Sequence, residues 1–125
     1  MSRDPSVFDV FARNCTSRPV MENISGRWGG LTLAALLEGT HRFNELRRRV
    51  DGVSEKMLSQ TLHALERDGL VVREVRSAIP PRVEYSLTDA GTRIATKLVE
   101  LIELIEAEMP QITVAQEQYD QAKSD

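Results

Sequence analysis

The sequence predicts one mostly helical domain carrying a small antiparallel β-hairpin. Two observations carry this. Residues 54–69, SEKMLSQTLHALERDG, keep a helical period between a good N-cap and a closing glycine. Directly afterwards the period changes to alternation in LVVREVR, and RVEYSL alternates again beyond a pair of prolines. At 125 residues the chain is long enough for one real core and too short for two independent ones.

In residues 54–69, Met57, Leu58, Thr61, Leu62 and Leu65 recur at spacings that put them on one helix face. Met57 lies at the edge of that face. The opposite face carries Lys56, Ser59, Gln60, His63 and Arg67, rich in hydrogen-bonding groups and poor in acids. Ser54 follows the Asp51-Gly52 turn and can satisfy a first-turn amide, and Gly69 suits the left-handed closing position. Such a helix fits a DNA major groove, and taken alone it fits an ordinary amphipathic surface helix equally well.

Its neighbours favour the first reading. Residues 1–18 offer a short apolar face at Val7, Phe8, Val10 and Phe11, read as a weak helix or an ordered arm ending near Cys15. Residues 19–26 form a short helix with Pro19 in its first turn. Beyond Gly29-Gly30, LTLAALLEG is apolar on several faces, as a helix at the centre of the core would be, and Gly39 stops it. After a short extended link, FNELRRRV places Phe43, Leu46 and Val50 inward and Arg47, Arg48 and Arg49 outward. Two helices joined by the DGVS turn are a helix-turn-helix. The hairpin that follows is then a wing, with Arg73, Arg76 and Arg82 placed to reach phosphate or a minor groove. A plain hairpin with solvated arginines is the simpler alternative.

Thr88 caps a last, long helix whose stripe is Ile94, Leu98, Leu101, Ile102, Ile105 and Met109. That stripe exceeds what a small winged domain covers, so a helix of a second subunit is its natural partner. Packing against the N-terminal helix is the alternative. Pro110 is read as the end of the helix and 111–125 as a mobile tail. The expected organisation is thus one domain over 1–125. Within it, 19–88 is the DNA-binding core, and 1–18 and 89–110 are dimerisation helices.

Net charge is −3, which looks wrong for a nucleic-acid binder until it is divided. Residues 1–41 are neutral, 42–82 carry nine Lys/Arg against six acids, and 83–125 carry three against nine. A basic middle beside an acidic end matters more to docking than the total. An aromatic content of 5% argues against a base- or sugar-stacking surface. A lone cysteine excludes an intramolecular disulfide and Cys-rich zinc frameworks. The two histidines, His41 and His63, have no second cysteine with which to complete a structural metal site. No catalytic constellation, phosphate loop or Cys-x-x-Cys is present, so no enzyme and no cofactor are expected. Nothing resembles a signal peptide or a membrane span, which predicts a cytoplasmic setting.

Residues 15–107 resemble the HxlR-type winged helix-turn-helix regulators, relatives of the MarR group. The likeness is carried by Gly26-Arg27-Trp28, Arg42-Phe43-Asn44-Glu45-Leu46, Ser54-Glu55-Lys56-Met57-Leu58, Leu65-Glu66-Arg67-Asp68-Gly69-Leu70 and Pro81-Arg82-Val83-Glu84-Tyr85-Ser86-Leu87-Thr88, with a cysteine shortly before Pro19. Gly29 departs from it: a bulkier residue often follows the Trp, which predicts a looser start to that helix. The resemblance implies a homodimer joined by its first and last helices, and a repressor reading successive major grooves of a pseudo-palindromic operator. Carried over by position, Ser54, Lys56, Met57, Ser59, Gln60 and His63 become groove-facing candidates, and Arg76 and Arg82 wing contacts. Gln60 suits adenine, and Lys56 suits guanine or phosphate.

The resemblance also makes Cys15 a candidate sensor of oxidants or small electrophiles, whose modification changes DNA affinity. That chemistry requires thiolate, which Arg13, Arg18 and the nearby helix start favour. A small packing residue is the alternative. Two further readings stay open. One is a regulator gated by a small aromatic or amphipathic effector in the dimer crevice between the long helix and the winged domain, with Phe8, Phe11, Trp28 and Tyr85 as candidate walls whose simpler role is core packing. The other is a winged helix used as a protein-interaction module.

Overall fold

A computed structural model of the chain describes residues 7–76 and 79–124. Its elements run α1 (Ser17–Ser25), α2 (Gly29–Leu37), α3 (Phe43–Arg49), α4 (Glu55–Arg67), β1 (Val71–Arg76), β2 (Arg82–Leu87) and α5 (Asp89–Ser124). The expected turn SAIPP lies partly outside the described residues, at 77–78.

α2 is the centre. Its Leu33 and Leu36 are buried among Leu46 of α3, Leu58, Leu62 and Leu65 of α4, and Ala95 of α5. Thr32, buried within this apolar helix, donates its hydroxyl to the Trp28 carbonyl at 2.7 Å and so leaves no orphaned group. α3, the turn at Asp51-Gly52 and α4 make the helix-turn-helix, and Gly52 supplies the positive φ of 91° that the turn requires. Antiparallel β1 and β2 pair from Val71↔Leu87 to Arg76↔Arg82. His41 exchanges both backbone hydrogen bonds with Tyr85, at 3.0 and 2.8 Å, so the link before α3 ties the wing's root to the core. The fold is the winged helix-turn-helix expected from the sequence.

Thr88 holds one corner. Its Oγ1 accepts from the Gly91 amide at 3.0 Å, capping α5, and donates to the Gly69 carbonyl at 2.7 Å, where α4 closes. This brings the start of α5 so near the β1 root that a Cβ on Gly91 would overlap the Leu70 carbonyl. Gly29 has the same role at α2, because a Cβ there would overlap the Asn23 carbonyl of α1. The expectation that Gly29 loosens the helix is therefore corrected: its missing side chain is what lets α1 and α2 close.

Two other expectations are resolved by the structure. Of the weak helix and the ordered arm read for residues 1–18, the described residues 7–16 take the arm. Successive backbone bonds Ala12 to Asp9, Cys15 to Ala12 and Arg18 to Cys15, each 3.0 Å, wind them into tight turns. The Asp9 side chain accepts the Phe11 amide at 3.0 Å, the local competition that keeps Asp out of helix interiors. Among the described residues the first helix therefore begins at Ser17, and residues 7–16 do not form the dimerisation helix expected over 1–18. Pro110 does not end the last helix, which runs through it to Ser124. Proline removes one hydrogen bond, to the Glu106 carbonyl, and the helix continues past the β-branched Ile112, Thr113 and Val114 into the better helix formers Ala115, Gln116, Glu117 and Gln118. Met57, read as lying at the edge of the apolar face, is 39% exposed beside the buried Leu58, Leu62 and Leu65. Among the described residues no helix is long and apolar enough to cross a membrane.

Candidate nucleic-acid interface

The front of α4 is built by its cap and its period. The Ser54 Oγ accepts the Met57 amide at 3.1 Å, fixing the helix start with φ, ψ of −79°, 161° at the cap. With Leu58, Leu62 and Leu65 buried behind, Ser54, Lys56, Met57, Ser59, Gln60 and His63 are all exposed, so the six groove-facing candidates share one open surface. Ser54 keeps its hydroxyl hydrogen for an outside acceptor, because the cap uses only a lone pair. Lys56 has no ion pair among the described residues, so its ammonium is free for phosphate or base.

The neighbouring arginines divide into occupied and available. Arg47 Nη1 pairs with Glu55 at 3.1 Å, joining α3 to the first turn of α4, and its Nε is buried without a partner. Arg49 makes two 2.7 Å hydrogen bonds to Glu38, across the end of α2. That contact holds the Glu38 carboxyl below its usual range and raises Arg49. Arg48 is exposed with no ion pair among the described residues, so of the three arginines it is the one open to a DNA backbone.

The wing divides in the same way. Val71, Arg73, Val75, Val83, Tyr85 and Leu87 share one face of the ladder, and Val72, Glu74, Arg76, Arg82, Glu84 and Ser86 the other. Arg76 is held between Glu74 at 3.2 Å and Glu84 at 3.4 Å. Arg82, opposite Arg76 at the tip end, is exposed and has no ion pair among the described residues, as is Arg73. The two wing candidates thus differ: Arg82 is ready for an anion and Arg76 must first leave two carboxylates.

Sequence reasoning overlooked Arg27. Its guanidinium lies over the Trp28 ring, 4.9 Å from the centroid, beside a groove that runs to Ser54, Met57 and Gln60. An Arg-Trp pair at a helix boundary was the available signal.

Cys15 sits half-buried in the turns before α1, and its Sγ accepts hydrogen bonds from the Asp9 amide and the Ser17 hydroxyl, both at 3.3 Å. Arg18, expected beside the sulfur as a charge, sends Nη1 to the Val10 and Phe11 carbonyls at 3.3 and 3.1 Å, closing the arm. Within one chain the four aromatic candidates are not brought together. Tyr85 is in the core, Trp28 lines the groove beside α4, and Phe8 and Phe11 stand exposed on the arm. The crevice between α2 and α5, about 550 Å³, is instead walled by aliphatic residues such as Leu31, Leu37, Val99 and Ile102, with Glu38 and Arg49 at its polar side.

A capped helix with an open polar front, beside a basic-tipped hairpin on a helix-turn-helix frame, defines a DNA-binding regulator. The chain belongs to the HxlR-like helix-turn-helix family, whose model matches residues 23–113. It is 46% identical over 110 residues to the HTH-type transcriptional regulator YtfH of Escherichia coli (strain K12), covering 88% of this chain and 87% of that protein. The transcriptional regulator ytfH from Salmonella typhimurium has a similar solved structure, with TM-score 0.82, 47% identity and coverage of 89% and 99%. The redox regulator HypR is also similar. Its reduced form gives TM-score 0.71 and 34% identity, covering 78% of this chain and 97% of that one. Its oxidised form gives 0.68 and 36%, covering 74% and 96%. The chain is accordingly a helix-turn-helix transcriptional regulator, and proteins of this family are regulators rather than enzymes.

Proposed function

We propose that the chain is a homodimeric repressor that reads double-stranded operator DNA through the α4 front and the wing. The observation that carries this reading is the open surface of Ser54, Lys56, Met57, Ser59, Gln60 and His63 on a helix whose Leu58, Leu62 and Leu65 are taken up by the core. Lys56 and Arg82 supply charge for phosphate or guanine, and Gln60 suits adenine. Dimerisation is supported by α5, where Leu101, Leu104, Ile105 and Met109 are exposed in a helical stripe. A regulator acting on DNA works in the cytoplasm of a cell without a nucleus.

Cys15 is proposed to set DNA affinity through its thiol state. Each chain has one cysteine, so loss of two hydrogens to diamide from two Cys15 thiols yields one disulfide between subunits. Similarity to HypR, solved in both oxidised and reduced forms, supports this reading.

Fluorescence anisotropy on DNA from the gene's own promoter, with random duplex as competitor, tests both parts. Specific binding that diamide weakens and dithiothreitol restores, with Cys15→Ser indifferent, is the expected result. A Cys15→Ser variant that responds like the wild type ends the redox part. Binding without preference over random duplex favours an interaction module instead. The crevice between α2 and α5 supports a second reading, gating by a small amphipathic effector. It predicts a rise in melting temperature with such a compound, independent of thiol state.

A further inference from the structure

Several cations near the α4 front, Arg47, Arg49 and Arg76 among them, already have carboxylate partners, whereas Arg27 is held in another way. It is exposed, and its contact among the described residues is with the Trp28 ring at 4.9 Å rather than with an acid. Trp28 is itself half-buried against the core. Its ring edge lies 3.7 Å from where a Cβ of Gly52 would stand, so the indole reaches from the α1–α2 corner to the turn before α4. A guanidinium laid on a fixed indole loses little freedom on binding and presents its planar fork outward. The groove beside it, about 540 Å³, is open and shared with Ser54, Met57 and Gln60.

We propose that this groove carries the sugar-phosphate backbone flanking the major groove that α4 enters, and that Arg27, held on Trp28, grips one phosphodiester. The inference rests on the DNA-binding reading and adds to it a contact off the recognition helix and off the wing. Base edges are read by α4, whereas Arg27 sits at the preceding corner, where the strand bordering the groove passes. Glu22 is the acidic residue lining the same groove, and it opposes the phosphate with the sign that Arg27 favours. The two residues therefore make opposite predictions, which a purely structural role would not.

The test is anisotropy of the full chain on promoter DNA and on random duplex across a salt series. Arg27→Ala is expected to weaken both by about five- to tenfold at low salt and to reduce the salt slope by about one. Glu22→Gln is expected to strengthen both, and melting curves of each variant check that the fold is kept. Arg27→Ala with wild-type affinity and slope would overturn the proposal, provided Lys56→Ala loses affinity in the same series. A Glu22→Gln variant that binds no better than wild type would also overturn it. If the wild type binds no duplex at all, the DNA-binding reading itself falls, and this proposal with it.

Discussion

Glu74 and Glu84 stand directly opposite each other across the wing, on the face that also carries Arg76. Two like charges at a cross-strand pair repel, and Arg76 relieves this by pairing with both carboxylates. A phosphate must compete with that arrangement, and drawing Arg76 away leaves two facing acids near DNA. The Glu84→Gln variant is therefore expected to bind duplex about two- to fivefold more tightly at low salt, as suits a surface ion pair. Arg76→Ala in the wild-type background should cost less than Arg82→Ala, whose guanidinium has no such competitor. Anisotropy titrations of the three variants check this order, and equal losses for Arg76→Ala and Arg82→Ala would contradict it.

Gly29 and Gly91 predict stability rather than binding. At each, an added methyl group would meet a backbone carbonyl, of Asn23 and Leu70 respectively, that has no room to move without parting two elements. Gly29→Ala is expected to destabilise the domain by about 2–3 kcal/mol, the upper range for overpacking, although alanine normally favours a helix. Urea unfolding measures this directly. A stabilised Gly29→Ala would show that the α1–α2 contact is not closed as described.

Acid should loosen the domain through two exposed glutamates. Glu38 is held below the ordinary carboxyl range first by its hydrogen bond to Arg49. Glu45 is lowered first by the Arg42 amide, which donates to Oε1 at 2.7 Å at the start of α3. Both are lower in the folded chain than in the unfolded one. The stability they add is present above the unfolded value and is lost as pH falls through the folded one. Melting temperature should therefore drop below about pH 4.5. The Glu38→Gln and Glu45→Gln variants should be less stable near neutrality and show a shallower acid decline.

What was legible in the sequence was local. The Ser54 cap, the Leu58-Leu62-Leu65 period and the switch at Gly69 each depend on neighbours within a few residues, and the residues at those places leave few alternatives. Partnerships between distant residues were not legible. Nothing near Arg49 in sequence announces Glu38, eleven positions away, as its partner. Nothing near Arg27 shows that the Trp28 indole will extend toward Gly52. Pro110 misled for a local reason. Its helix-breaking tendency is real, but a single lost hydrogen bond on an exposed helix does not outweigh the good helix formers before it and from Ala115 onward.

That uninterrupted α5 sharpens the expectation about assembly. The stripe read from the sequence splits. Ile94 and Leu98 lie against the chain's own core and Ile102 lines the crevice beside α2. Leu101, Ile105 and Met109 are instead 51%, 46% and 39% exposed, joined by Leu104 at 58%, which the stripe did not include. Spacings of three, one and four residues keep the second set on one side of the helix, as a seam for another helix requires. Leu104→Asp places a charge in that seam without touching the core, so the fold should survive. Sedimentation is expected to show the wild type as a dimer and Leu104→Asp as a monomer at micromolar concentration. Because two half-sites bound together gain from linkage, the monomer should also lose operator affinity by about a hundredfold or more while keeping weak binding to random duplex. A wild-type chain that sediments as a monomer would refute the seam, and a dimeric Leu104→Asp would place the interface elsewhere.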